Sequence, residues 1–416
     1  MIAKTPPMGW NSWDCYGASV TEAIVKQNAE FMAARLKPFG WEYMVVDIEW
    51  YQPTADSHEY RPFSDLVMDG FGRLMPAENR FPSAANGAGF KPLADCLHGL
   101  GLKFGIHIMR GMPRMAAHRR LPIEGGEYTC DQAADPNSIC AWNPDMYGLR
   151  ADHPAAQAYY DSLFRLYASW GVDYVKCDDI AREYPHCRRE IEIISRACRG
   201  CGRDIALSLS PGPAPLEQAE HLKAHCNMWR ITDDFWDEWR LLRGMFERAE
   251  KWCVHAGPGH WPDADMLPVG AIRLCDENPP RGKWTNFTEA EQRTMMTLWC
   301  MLRSPLMIGG EMTRFDGFTL DLLTNAAVLE IEKASWCAHP LYTTDEASAW
   351  IAPRTDGAGC YVAAFNLSDE PRRVAVTADE LGRGWARATE LWTGAAAEGP
   401  SALLAPHDAA AWLLEY

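Results

Sequence analysis

The stretch GVDYVKCDDI, residues 171–180, sets one lysine inside an otherwise apolar run and closes it with two aspartates. Burying lysine or aspartate is costly unless the group is paired or hydrogen-bonded. Side chains two apart on a strand share a face, so Lys176 and Asp178 point together and Asp179 points elsewhere. The reading makes Asp178 the partner of Lys176. A second stretch, WRITDD at 229–234, has the same grammar. Arg230, Thr232 and Asp234 share a parity there, and Asp233 falls out of it. A carboxylate kept ionised by a lysine can act as a nucleophile. A second, less well paired carboxyl on another strand can stay protonated and act as a general acid.

Those residues must be positioned by a repeating framework. Eight short apolar runs alternate with segments of helical periodicity. The runs are PMGWNSW (7–13), YMVVDIEW (43–50), LKFGIHIM (102–109), VDYVKCD (172–178), DIALSLS (204–210), NMWRIT (227–232), WCVHAG (252–257) and SPLMIGG (304–310). Among the helical stretches, HPAAQAYYDSLFRLYASWG ends in Gly171, as a helix C-cap does. The alternation predicts an α/β fold, a (β/α)8 barrel over residues 1–335. An open doubly wound sheet would carry a Gly-rich phosphate loop after an early strand, and none is seen. From 336 to 416 the helical period disappears. Short β-rich runs broken by Gly, Pro, Asn and Asp predict a small antiparallel C-terminal β-sandwich.

In such a barrel, polar residues at the C-terminal strand ends build the site. Here those ends carry Trp13, Asp47, Glu49, His107, Lys176, Asp178, Asp179, Ser208, Ser210, Arg230, Asp233, Asp234, Asp263 and Asp265. Two carboxyls flanked by a lysine and an arginine match the division of labour of a retaining glycosidase, whose carboxyls stand about 5–5.5 Å apart. Two readings of other classes compete. One is a metal-dependent barrel enzyme with Asp47, Glu49, His107 and Asp178 as ligands. The other is an inactive glycan-binding relative, against which the presence of both Asp178 and Asp234 argues.

Composition narrows the partners. The chain has 416 residues, 47% hydrophobic and 23% charged, with a formal charge of −16. That charge disfavours nucleic acid and anionic membranes. No run is apolar for long enough to span a bilayer. The start, MIAKTPPMGWNSW, shows no basic region followed by an apolar core, so a cytoplasmic protein is expected, with a homo-oligomer left open. The fourteen cysteines are scattered through apolar segments, and most are read as reduced core residues. CRGC (198–201) has metal-ligand spacing but no second pair, and is read as a helix end. No cofactor and no metal is expected.

The motifs PPMGWNSWDCYG, VKCDD, WRITDDFWDEW and GPGHWPDADML together resemble glycoside hydrolase family 27, the family of α-galactosidases and α-N-acetylgalactosaminidases. The resemblance runs from residue 5 to about 335, in the family's order, and a trailing β domain fits it as well. It implies an exo-acting, retaining hydrolase of terminal α-linked galactose-type sugars. By the same resemblance, Asp178 is the nucleophile and Asp234 the acid/base. Trp13 corresponds to the aromatic flanking the sugar, Lys176 and Arg230 to cations that bond ring hydroxyls, and Asp265 to a further wall residue.

This chain departs from the family pattern in three places. Where α-galactosidases usually have two consecutive aspartates after the second strand, VDIEW keeps Asp47 and has Ile48 in the second position. Alternation puts Glu49 on the face of Asp47, as a substitute acceptor for the upper hydroxyls. His107 stands where tyrosine is common. In SLSPGPAP, Ser210 and Gly212 replace bulky or acidic residues, which leaves room for an N-acetyl group or points to another sugar. An α-N-acetylgalactosaminidase or a β-L-arabinopyranosidase on the same scaffold is the alternative; β-L-arabinopyranose has galactose stereochemistry without the hydroxymethyl arm.

Overall fold

The computed structural model describes residues 1–184 and 186–416. Eight parallel strands form its centre: β1 (Met8–Asn11), β2 (Tyr43–Val46), β3 (Lys103–Met109), β4 (Tyr174–Asp178), β5 (Ala206–Leu209), β6 (Met228–Arg230), β7 (Trp261–Asp263) and β8 (Leu306–Ile308). They pair in the order 7-6-5-4-3-2-1-8. A parallel bridge from Leu267 to Ile308 joins the chain just beyond β7 to β8 and closes the ring. The fold is the expected (β/α)8 barrel. All these strands are buried on both faces, as parallel strands covered by helices must be.

Register does the positioning. His107 on β3 lies opposite Lys176 on β4, and Met109 opposite Asp178. Lys176 lies opposite Ser208 on β5, and Arg230 on β6 opposite Asp263 on β7. The register thus sets His107, Lys176 and Ser208 at one level and, two residues nearer the strand ends, Asp178, Arg230 and Asp263 at the next.

Seven of the eight apolar runs contain their strand, and the seventh does not. WCVHAG is the tail of a helix, Trp239–Trp252, followed by a 3₁₀ turn at Cys253–His255. The buried face of that helix is Leu242, Met245, Phe246, Ala249 and Trp252, so its last turn reads as the start of an apolar run. The real β7 is three residues of WPDADML and contains Pro262, too short to show a period. The run at β2 is also overextended: the strand stops at Val46, before Asp47.

Elsewhere the punctuation holds. The helix Pro154–Trp170 is capped by Gly171 in the left-handed region, φ 85°, where a side chain would be strained. CRGC ends the helix Arg188–Gly200, and all fourteen cysteines are free, most of them buried.

Beyond the helix Ala326–Ala334 the strands are antiparallel. They are β9 (His339–Thr343), β10 (Ala347–Pro353), β11 (Gly359–Asn366), β12 (Arg372–Ala375), β13 (Arg387–Glu390), β14 (Ala396–Ala397), β15 (Ser401–Leu404) and β16 (Ala409–Glu415). Six make one sheet in the order 9-10-11-16-13-14, and β12 pairs with β15. Val362 and Trp412 of the large sheet pack with Val374 and Leu404 of the small one. This β layer is fixed to the barrel by Arg293, whose guanidinium bonds both carboxylate oxygens of Asp408 at 3.0 and 3.1 Å. The stacked rings of Trp239 and His407, 3.8 Å apart, add to that contact. No helix among the described residues is long and apolar enough to cross a membrane.

Candidate active site

At the C-terminal mouth of the barrel lies a cavity of about 300 Å³. Its floor is polar. Asp47 begins the turn after β2, and its Oδ2 accepts from Lys176 Nζ at 3.0 Å and Asn11 Nδ2 at 2.7 Å. Burial would push this carboxyl up, but the charges of Lys176 and His107 and the Ile48 N–H bring it below its ordinary range. Asp178 closes β4. Its Oδ2 accepts from His107 Nε2 at 2.9 Å and its Oδ1 from the Asp179 N–H at 2.9 Å. Burial again raises the carboxyl, and the His107 hydrogen bond with the charges of His107 and Lys176 outweighs it, holding Asp178 far below the usual carboxylate range. Bonds to a charged acceptor contribute about 1.5–3 kcal/mol each, enough to fix both the charge and the orientation.

The opposite wall is built differently. Arg230, at the end of β6, reaches Asp265 Oδ2 at 2.7 Å and Asp234 Oδ1 at 3.1 Å. Asp265 is buried and pushed up to about 6 by that burial, against the charge of Arg230 and with the help of Asp234 and Asp263. Asp234 lies in the segment after β6 and its side chain is 62% exposed. An aromatic wall completes the cavity: Trp13 stacks on Tyr60, centroids 5.8 Å apart, and Tyr60 packs against Trp142 at 5.2 Å.

The family model for alpha galactosidase A (Melibiase_2) matches residues 144–334. A family 27 β-L-arabinopyranosidase from Geobacillus stearothermophilus is 53% identical, with 100% of this chain and 97% of that one covered and a TM-score of 0.96. The chain belongs to glycoside hydrolase family 27. It is a glycosidase. More distant relatives are an α-galactosidase from Coffea arabica, 27% identical over 423 residues, covering 99% of this chain and 94% of that protein. Human alpha-galactosidase A is 26% identical over 414 residues, covering 92% and 79%.

In this family 27 chain, Trp13, Asp47, Lys176, Asp178, Arg230, Asp234 and Asp265 all line the one cavity. Three other expected site residues stand outside its lining. His107 is fully buried beneath Asp178 and reaches the cavity only through it. Ser210 is buried, and its hydroxyl has no hydrogen-bond partner among the described residues. Glu49 does not share the setting of Asp47, because β2 ends before the alternation can carry that far. Its backbone turns left-handed, φ 64°, and its carboxylate faces Asn143 Nδ2 at 3.4 Å. Burial and the neighbouring Asp145 push that carboxyl up to about 7.

Two further details differ from the sequence reading. The direct partner of Lys176 is Asp47, and Asp178 is bonded to His107 instead. Strand parity fixed the shared face but not which oxygen the long ammonium arm would choose. Gly212 leaves no empty space: a Cβ there would come 2.3 Å from the Thr232 carbonyl oxygen, so the glycine serves close packing of backbone on backbone. The metal-ligand set of Asp47, Glu49, His107 and Asp178 does not converge. Lys176 already supplies the positive charge at Asp47, and Glu49 lies elsewhere. Asp179 pairs with Arg110 at 3.0 Å and Asp233 with Arg182 at 2.6 Å; Asp233 still reaches the cavity rim.

Sequence reasoning missed Tyr60, Trp142, Arg182 and Trp236, which all line the cavity from loops where no periodicity announces them. It also missed Asp14, one residue beyond Trp13. Burial and the charge of Asp265 push the Asp14 carboxyl well above its ordinary range.

Proposed function

We propose that this glycosidase is an exo-acting, retaining enzyme that removes a terminal sugar of galactose configuration by double displacement, and that its preferred sugar is β-L-arabinopyranose. Asp178 attacks the anomeric carbon while Asp234 gives its proton to the departing oxygen. Asp234 then takes a proton from the water that cleaves the glycosyl ester on Asp178. Lys176, Asp47, Arg230 and Asp265 receive the ring hydroxyls, and Trp13 with Tyr60 forms the apolar wall. The observation that carries the mechanism is that one cavity holds both carboxylates in unlike settings. Asp178 is bonded by His107 and a backbone N–H, and Asp234 is open to solvent beside Arg230. A cavity of about 300 Å³ is at the small end of ligand pockets and suits one terminal residue.

The choice of sugar rests on the end of β2. Ile48 is aliphatic and buried, and Glu49 stands outside the cavity lining, so neither supplies a second acceptor beside Asp47. A hydroxymethyl arm therefore gains little here. The 53% identity to an arabinopyranosidase points the same way. The packed Gly212 gives no support to the N-acetylgalactosaminide alternative. A panel of p-nitrophenyl glycosides tests the reading. kcat/KM for the β-L-arabinopyranoside should exceed that for the α-galactoside by roughly 10–200-fold, the range one apolar group can discriminate. The α-N-acetylgalactosaminide should be the poorest of the three. Equal or better turnover of the α-galactoside would overturn the sugar assignment while leaving the mechanism standing.

A further inference from the structure

Away from the barrel mouth, three side chains converge on the outer helical layer. His221 and His225 stand four residues apart on the helix Ala219–His225, and Glu192 faces them from the helix Arg188–Gly200. Residues at that spacing are neighbours on one helical face, the arrangement by which two histidines can share one ion. The ring centroids are 4.4 Å apart, and His221 Nε2 is 3.2 Å from Glu192 Oε1. One ligand atom from each of the three lies within 4.8 Å of the other two.

The surroundings suit a ligand set. The Tyr184 hydroxyl lies 3.0 Å from His221 Nδ1. That contact fixes the ring and leaves Nε2 for an ion, as a bonded second nitrogen does in metal-binding histidines. Burial holds both imidazoles below their ordinary range, and His221 further lowers His225. Arg188 comes within 3.9 Å of the same Glu192 oxygen, but its guanidinium is engaged by Gln218.

We propose that His221, His225 and Glu192 form a binding site for a zinc-class divalent transition metal. Two imidazoles and a carboxylate match zinc with a water as fourth ligand, whereas calcium and magnesium call for more oxygen ligands. The ion would clamp the helix after β4 to the helix after β5. Through Tyr184 it would also steady the segment that carries Arg182 to the cavity wall.

The test uses the full chain, stripped with a chelator and titrated with Co²⁺ as the probe. The wild type should take up one equivalent, with visible d–d bands, no thiolate-to-cobalt charge-transfer band, and displacement by Zn²⁺. His225→Ala and Glu192→Gln, each confirmed as folded by circular dichroism, should weaken binding by at least about tenfold. Cys275→Ser should leave it unchanged. The proposal is overturned if both ligand variants bind as the wild type does, or if no equivalent binds. It is equally overturned if a thiolate band appears and vanishes in Cys275→Ser, which would place the ion on the second candidate cluster, His58, Cys275 and Asp276.

Discussion

The two sides of the cavity hold the same functional group in opposite settings. On the β4 side, the Asp178 side chain is 14% exposed, fixed by His107 Nε2 and the Asp179 N–H, with Lys176 close by. On the β6 side, Asp234 is 62% exposed, and the Arg230 guanidinium that pairs with it is shared with the nearer Asp265. A carboxylate whose negative charge is stabilised from several directions and whose position is rigid is suited to attack carbon. One that is open to solvent and loosely held is suited to exchange protons with a leaving group and then with water. Environment, not residue type, assigns the proposed roles.

That contrast can be broken from either side. Asp178→Asn preserves shape and removes the proposed nucleophile. Turnover should fall on the order of 10⁴-fold or more on every substrate, aryl or natural, with the fold intact by circular dichroism. Asp234→Ala should behave differently. With poor leaving groups, kcat should drop by about 10²–10⁴-fold, and with activated aryl glycosides by far less, because those depart with little protonation. A Brønsted plot of rate against leaving-group pKa should be steep in the variant and shallow in the wild type. If both variants lost activity uniformly across the series, the two sides would not be doing different work.

The end of β2 offers the smallest and most local check. Glu49 is buried with its carboxyl raised from about 4.5 to about 7, so the fold favours the protonated form. Its contribution to stability is complete below the unfolded value near 4.5 and is lost as pH rises through about 7. Each pKa unit is worth about 1.4 kcal/mol, so the loss should be about 3–3.5 kcal/mol by pH 8. Glu49→Gln removes that dependence. Its melting temperature should exceed that of the wild type at pH 8 and match it near pH 5, while kcat/KM changes by less than about threefold. A large loss of activity in this variant would bring Glu49 back into the sugar site.

Much of this geometry was legible because strand alternation is strict where strands are long enough. At β4, five residues from Tyr174 to Asp178 carry the parity to the proposed nucleophile, so Lys176 and Asp178 could be sorted from Asp179. At β2, four residues end at Val46, and the same rule extended three residues further misplaced Glu49. At β7, a helix tail imitated a strand, and the true strand of three residues was too short to be read. The aromatic wall stayed hidden for another reason. Tyr60 and Trp142 come from loops far apart in sequence, and only the packing of those loops over the barrel mouth brings the rings together.

Trapping the glycosyl-enzyme intermediate shows which carboxylate attacks the sugar. A fluorinated glycosyl donor with an activated leaving group forms the glycosyl ester faster than water can cleave it. Proteolysis and tandem mass spectrometry of the inactivated enzyme then locate the sugar. One sugar per chain, esterified to Asp178, is expected in the wild type and in Asp234→Ala alike. A label on Asp234, Asp265 or any other residue, or inactivation without a covalent adduct, would contradict it.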